Sequence, residues 1–453
     1  MVKRQKNSTT KRVAVIGAGW AGCAAAVTLC ELGHQVTLIE AARHLGGRAR
    51  VVEIKGYQLD NGQHIMLGAY TACLDLMRRL KIDLEQTLLR LPLQMVYPHQ
   101  TGMHFIAPKL PAPIHLLFAL INAKGLDRAD KMALARFSTT ARWMGWQLNQ
   151  DCTVSELLES YEQTERLCRL MWTPLCIAAL NTPPERASAQ VFLNVLRDSL
   201  GAKRKASDML IPRVDLSSLL PDAAARYLQQ KNSRVLTGIN IKTLRSTDQG
   251  TWCLDEVPRT ENGTENEFDR IIIATSASQC QRMLADVSSS SSSNPELPNP
   301  PEFSYEAITT CYLQYAPSIK LERAFFALAD NPQLAQWAQF VFDRGQLNPE
   351  QAGLLAVVVS ASNNAIQNDH STLSKAIAQQ LAEQLRMPEL IKPEWTQVIT
   401  EKRATFACTP SLPRPENRTV FHGLVIAGDY TASDYPATLE AAVRSGISAA
   451  QAV

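Results

Sequence analysis

Apolar β-branched residues Val13, Val15 and Ile16 run directly into Gly17-Ala18-Gly19-Trp20-Ala21-Gly22, and a stretch of small residues follows over 23–32. This pattern predicts a buried strand, a tight turn and a helix that can pack closely. Gly33 reads as the helix C-cap, and residues 34–39 (HQVTLI) form a second apolar run ending on Glu40. Further strands are predicted over 234–244, 251–257, 268–274 and 424–427, with a last helix beginning near Ala437. The interval 69–220 reads as helix-rich, whereas 301–413 carries apolar strands such as 307–315 and 354–360. Strands and helices alternate at both ends of the chain and segregate in the middle, which predicts an α/β fold with an inserted α+β part.

The glycines of the first turn have separable tasks. Gly17 permits the turn, Gly19 lets the backbone approach a pyrophosphate at the helix N-terminus, and Gly22 lets helix and strand pack closely. Glu40 lies about twenty residues further on, where an acid accepts hydrogen bonds from both ribose hydroxyls of an adenosine and disfavours a 2′-phosphate. The turn 17–22, including Ala18, Trp20 and Ala21, and Glu40 with Ala41 are therefore expected to hold a dinucleotide. Gly46-Gly47-Arg48 then offers backbone amides and a fixed guanidinium to a diphosphate or a flavin edge. An ordinary turn with a solvated arginine is the competing reading.

Length and composition narrow the class. At 453 residues, 45% hydrophobic and 20% charged, the chain can bury a large core divided among two or three domains. A net charge of +3 without a basic stripe argues against nucleic-acid binding. Ten cysteines without a CxxC pair argue against a metal centre or a disulfide framework and fit a reducing cytoplasm. The opening MVKRQKNSTTKR is basic but runs into the first strand without an apolar region, so no signal peptide is expected. No stretch approaches twenty uninterrupted apolar residues. Residues 104–123 (HFIAPKLPAPIHLLFALINA), with Lys109 and Lys124, read either as a peripheral contact with the inner face of the cytoplasmic membrane or as a core helix after a proline-rich loop. The segment 286–300, rich in serine and proline, reads as a flexible loop.

Together with VIAGDYTASDYPATLEAAVRSG at 425–446, the motifs from the glycine turn through Glu40 to Gly46-Gly47-Arg48 resemble the FAD-dependent amine oxidase and phytoene desaturase superfamily. The resemblance implies FAD in a Rossmann-like domain of the GR2 flavoprotein type, built from 1–68, 225–285 and 414–453. It implies a discontinuous substrate domain from 69–224 and 301–413. Gly47, Arg48 and Ile241 join the cofactor set. Gly428 and Asp429 bind the ribityl chain or pyrophosphate, and Thr438 and Leu439 place a helix N-terminus at the pyrimidine end of the flavin, where its dipole stabilises the reduced anion.

Motifs in the middle of the chain, at 174–184, 192–201 and 210–215, resemble the squalene-associated FAD-dependent desaturase group of hopanoid gene clusters, understood as hydroxysqualene dehydroxylases. That resemblance implies a long-chain isoprenoid alcohol as substrate and its reduction to the hydrocarbon: protonation of the hydroxyl, loss of water and capture of hydride from reduced flavin. Thr438 stands where monoamine oxidases carry an aromatic cage residue, which puts amine oxidation in doubt. The superfamily segment beneath the flavin matches Asp60-Asn-Gly-Gln-His64, so Asp60 and His64 are candidate acids. Arg213, with Arg197, Asp198 and Asp215, is a further candidate, and structural ion pairs are the competing reading. Tyr430 and Tyr435 are expected to line the cavity or pack in the core. A second nucleotide motif is absent, so an unidentified donor supplies electrons. The rivals are an isoprenoid desaturase and a non-catalytic prenyl-binding protein.

Overall fold

The computed structural model describes residues 10–100, 102–247, 249–258, 266–290 and 302–453. The basic opening residues 1–9 and most of the serine-proline segment, 291–301, lie outside the described residues. The helix Ala277–Ser290 takes up the beginning of that segment.

Five parallel strands form the central sheet, in the order Arg234–Thr237, Gln35–Glu40, Arg12–Ile16, Arg270–Ile273 and Leu424–Ile426. The apolar runs of four of them are buried, as parallel strands under helices require, whereas the edge strand Arg234–Thr237 is half-buried. All five point the same way, so Gly17, Glu40, Gly238, Ala274 and Ala427 meet at one carboxyl-terminal edge. Ligands of open α/β sheets bind outside this edge.

The first helix, Trp20–Glu31, and the C-terminal helix, Leu439–Gln451, lie against each other on one face of the sheet. Their approach is unusually close. A Cβ on Gly446 would fall 2.1 Å from the Ala21 carbonyl oxygen, and one on Gly22 would fall 1.8 Å from that of Gly17. The small-residue character of both helices is what this contact requires.

The second sheet is antiparallel, in the order Phe325–Ala327, Phe340–Asp343, Leu354–Val359, Tyr305–Gln314 and Trp395–Phe406. It contains the strands expected over 307–315 and 354–360. Helices fill the preceding interval, among them Ile114–Asn122, Arg128–Trp143, Thr173–Leu180 and Ala189–Ser199.

Two strand expectations are corrected. The strand expected over 234–244 stops at Thr237, because Gly238 turns with φ +74° and the chain then bonds to Ala42 and Glu40. Residues 245–246, 252–253 and 267–268 leave the main sheet and form a small antiparallel one. Two helices lie beside the boundaries expected at 69 and 225. Helix Thr71–Arg79 packs on the C-terminal helix, and the Glu440 carboxylate accepts from the amides of Ala72 and Cys73 at its N-terminus (2.9 and 3.0 Å). Helix Pro221–Gln230 packs on the first helix. Both belong with the parallel sheet.

Gly446→Val is expected to lower stability by at least about 2 kcal/mol, since the backbone of Ala21 cannot withdraw without disturbing the sheet. Chemical denaturation would check this, and an unchanged midpoint would contradict the close contact.

Candidate functional site

A cavity of about 730 Å³ opens between the carboxyl-terminal edge of the parallel sheet and the antiparallel sheet. Its nucleotide side is made of Gly17, Gly19, Glu40, Gly47 and Arg48, joined by Ile241 from the loop after Thr237. Gly428, Asp429, Thr438 and Leu439 enter from the other end of the chain. Trp20, Ala21 and Ala41 also line it. Ala18 and Gly22 stand behind this wall rather than in it.

Their positions explain the geometry in front of them. The Ala18 amide donates to one oxygen of the Glu40 carboxylate at 2.7 Å, and the Ala42 amide donates to the other at 2.9 Å. Glu40 is thereby fixed at the end of its strand with acceptor capacity left for a diol. The first helix has Gly19 as its N-cap, with no side-chain cap and no acid in the first turn. Its free N–H groups and positive dipole end face the cavity, and a Cβ on Gly19 would meet nothing nearer than 4.0 Å, so backbone and ligand can meet there. These features fit the diphosphate and adenosine of a dinucleotide.

The two chain ends are tied across the cavity. Arg48 donates to the Asp429 carboxylate at 2.7 Å and to the Ala404 carbonyl at 2.6 Å. Gly46 and Gly47 adopt positive φ (+110° and +63°), which turns the chain so that Arg48 can reach. Thr438 caps the C-terminal helix by accepting from the Ala441 amide at 3.2 Å. With that hydroxyl engaged, the helix dipole and backbone are what Thr438 and Leu439 offer a flavin.

Beyond these groups the antiparallel sheet contributes apolar Ile308, Phe340, Phe342 and Val358 together with polar Ser360, Glu401, Arg403 and Thr405, and helix Thr173–Leu180 contributes Ala178 and Ala179. That helix ends on Asn181 in the left-handed conformation, whose amide donates to Thr405 Oγ1 (2.9 Å) and accepts from the Ala361 N–H (2.7 Å). The motif at 174–184 thus fastens the helical region to the sheet.

The candidate acids separate. His64 lines the cavity, and its Nδ1 lies 2.7 Å from the Gly62 carbonyl oxygen. A carbonyl only accepts, so Nδ1 carries a proton and Nε2 is the titrating nitrogen. Burial, aided by nearby Arg48, pushes the imidazole below its ordinary value, and the Gly62 carbonyl only partly opposes this.

Asp60 does not line the cavity. It is 4% exposed, its carboxylate accepts from the Leu216 amide at 2.8 Å, and its carbonyl accepts from the Tyr312 hydroxyl at 2.9 Å. Burial pushes this carboxyl up to about 6, against the pull of Arg344 and the Leu216 amide. Asp60 anchors the segment that carries His64.

Arg213 is likewise outside the cavity, at the end of strand Met209–Pro212, with its amide bonded to the Thr87 carbonyl. Asp215 caps the short helix Leu216–Leu219, and Arg197 pairs with Asp198, which also accepts from Tyr435. These are structural contacts. Tyr430 lines the cavity, buried and edge-on to Phe303.

Two arginines escaped the sequence reading. Arg344 donates to Gln63 Oε1 (3.0 Å) and Gln351 Oε1 (2.8 Å), holding the cavity segment 61–65 from behind. Arg414 donates to the carbonyls of Asp429 (2.9 Å) and Tyr435 (2.7 Å), fixing the loop before the last helix. The only signal for Arg414 was its place between Pro413 and Pro415, a rigid extended stretch.

A family model described as flavin containing amine oxidoreductase matches residues 20–453. The chain belongs to this family. It is accordingly an FAD-dependent oxidoreductase, and the cavity just described suits that cofactor. The chain is 28% identical to a hydroxysqualene dehydroxylase of Rhodopseudomonas palustris, covering 98% of both chains. It is 25% identical to the protein of the same name from Zymomonas mobilis, covering 96% of this chain and 97% of that one. In fold it is similar to an oxidoreductase from Methanosarcina mazei, with a TM-score of 0.69 at 16% identity over 97% and 100% of the two chains.

Asp60 makes a pH prediction. Its folded value of about 6 lies above the ordinary 3.8, so the folded state binds the extra proton between the two. Wild-type stability should therefore fall relative to Asp60→Asn as pH rises from about 4 to about 6, by on the order of 3 kcal/mol. Denaturation across that range would check it; a gain for the wild type would mean that ionised Asp60 is instead stabilised by Arg344.

Proposed function

We propose that this enzyme is a hydroxysqualene dehydroxylase, reducing the allylic alcohol hydroxysqualene to squalene and water. The observation that carries this reading is the near-full-length similarity to two dehydroxylases, joined to a cavity that Ile308, Phe340, Phe342 and Val358 line in part and that has Thr438 where an amine cage would need a ring. Glu40, the free N-terminus of the first helix, Arg48 and Asp429 hold FAD, which when reduced supplies the hydride.

The chain's own residues then have three tasks. Ile308, Phe340, Phe342 and Val358 take up the hydrocarbon and exclude water, which would otherwise trap the allylic cation. His64 delivers a proton from Nε2 to the substrate hydroxyl as the C–O bond breaks, so the oxygen leaves as water and the carbon takes the hydride. Its depressed pKa makes the charged form scarce but strongly acidic. Arg344, through Gln63, keeps the His64 segment in place. Asp60 and Arg213 leave the catalytic set because neither reaches the cavity. Electrons come from a separate donor, and the isoprenoid is met through a peripheral membrane contact.

Anaerobic incubation with hydroxysqualene and chemically reduced FAD tests the reading and should yield squalene. Absence of squalene together with turnover of phytoene would replace it with the desaturase. His64→Ala should keep its FAD and lose at least about 100-fold in rate. The wild-type rate should fall as pH rises, beginning below 6.5 because the His64 value is lowered and its acid form is lost there; a rate independent of pH and of His64 would remove it from the proton-donor role.

A further inference from the structure

Helix Ile114–Asn122 turns large apolar side chains outward while burying a histidine. Ile114, Leu117, Phe118 and Ile121, at i, i+3, i+4 and i+7, form one face and are 45%, 54%, 45% and 59% exposed. The opposite face buries His115, whose Nε2 sits 3.4 Å from Ser207 Oγ, beside Ala119. A helix facing water carries the reverse arrangement.

Exposed cations surround this face. Lys109 precedes the helix, Lys124 and Arg128 follow it, and Lys131 reaches back to donate to the Ile121 carbonyl at 2.8 Å. The acids nearby are already engaged. Asp127 and Asp130 form the capping box of the next helix, and Asp127 pairs with Arg166 at 3.3 Å. The patch therefore offers large apolar side chains beside the exposed charges of Lys109, Lys124 and Arg128, with Asp127 and Asp130 sharing Arg166. No helix among the described residues is long and apolar enough to cross a membrane, so this face can lie on a bilayer and not span it.

We infer that the Ile114–Asn122 face is the surface by which the enzyme lies on an anionic phospholipid bilayer, with the four apolar side chains inserted and Lys109, Lys124 and Arg128 at the headgroups. Charge complementarity selects the anionic lipid. The choice of lipid over a protein partner rests on the dehydroxylase reading, whose substrate dissolves in hydrocarbon. The helix packs through Leu116, Ala119 and Leu120 onto the same apolar cluster that contains Phe340, Phe342 and Val358 of the cavity wall, so the docked face and the substrate wall share one continuous core.

Co-sedimentation of the FAD-loaded protein with vesicles tests this without substrate, so its outcome is independent of the squalene assay. The wild type should bind phosphatidylglycerol-containing vesicles more tightly than pure phosphatidylcholine, with the difference shrinking as salt rises. Leu117→Ser/Phe118→Ser/Ile121→Ser should keep its unfolding temperature and its activity on detergent-dispersed substrate while losing at least tenfold in vesicle binding. Lys124→Glu/Arg128→Glu should lose the preference for anionic lipid. The inference is overturned if the wild type binds neither vesicle or if the triple variant binds like the wild type. A lipid-free wild-type dimer that the triple variant dissociates would also overturn it, by assigning the face to a second copy.

Discussion

The C-terminal helix rests on the backbone of the first helix with no side chain between Gly446 and Ala21. That contact sets the depth at which the last strand enters the parallel sheet beside Arg270–Ile273, and hence where Asp429 emerges at its edge. Only then can Asp429 meet Arg48, which left-handed glycines have turned toward it. The cavity is thus closed by residues 381 positions apart, and neither end alone makes a site. The antiparallel sheet and the helical region are hung on this frame and contribute the wall that faces the substrate.

Residues whose task is dictated by the backbone were legible in the sequence. Gly17, Gly19 and Glu40 announce themselves through local spacing, because a turn, a close approach and a strand end leave few alternatives. Asp429 and Thr438 were legible by resemblance. Ala18 lies in the turn and Gly22 in the helix that follows it, and they act by holding Glu40 and the helix from behind. Arg344 and Arg414 were not legible. Each acts across the fold on a partner that no sequence interval specifies, Gln63 for one and the 429–435 loop for the other. The packing of helix Thr71–Arg79, just after the boundary expected at 69, was not legible for the same reason, since Glu440 recruits it from the far end of the chain.

Asp60 and His64 show how burial divides two ionisable groups in one short segment. The carboxyl turns away from the cavity and is pushed up; the imidazole faces it and is pushed down. Desolvation disfavours charge in both, but only His64 stands where a proton can be used.

The central claim is that opposite ends of the chain hold one FAD. Titrating apoprotein with FAD, for the wild type, Glu40→Ala and Asp429→Ala, tests it most directly. One FAD per wild-type chain is expected, with an affinity loss of about 10- to 100-fold in each variant, as removal of a charge-assisted hydrogen bond implies, and with the apoprotein still folded. A wild type that takes up no FAD, or an Asp429→Ala variant that binds it like the wild type, would contradict the account.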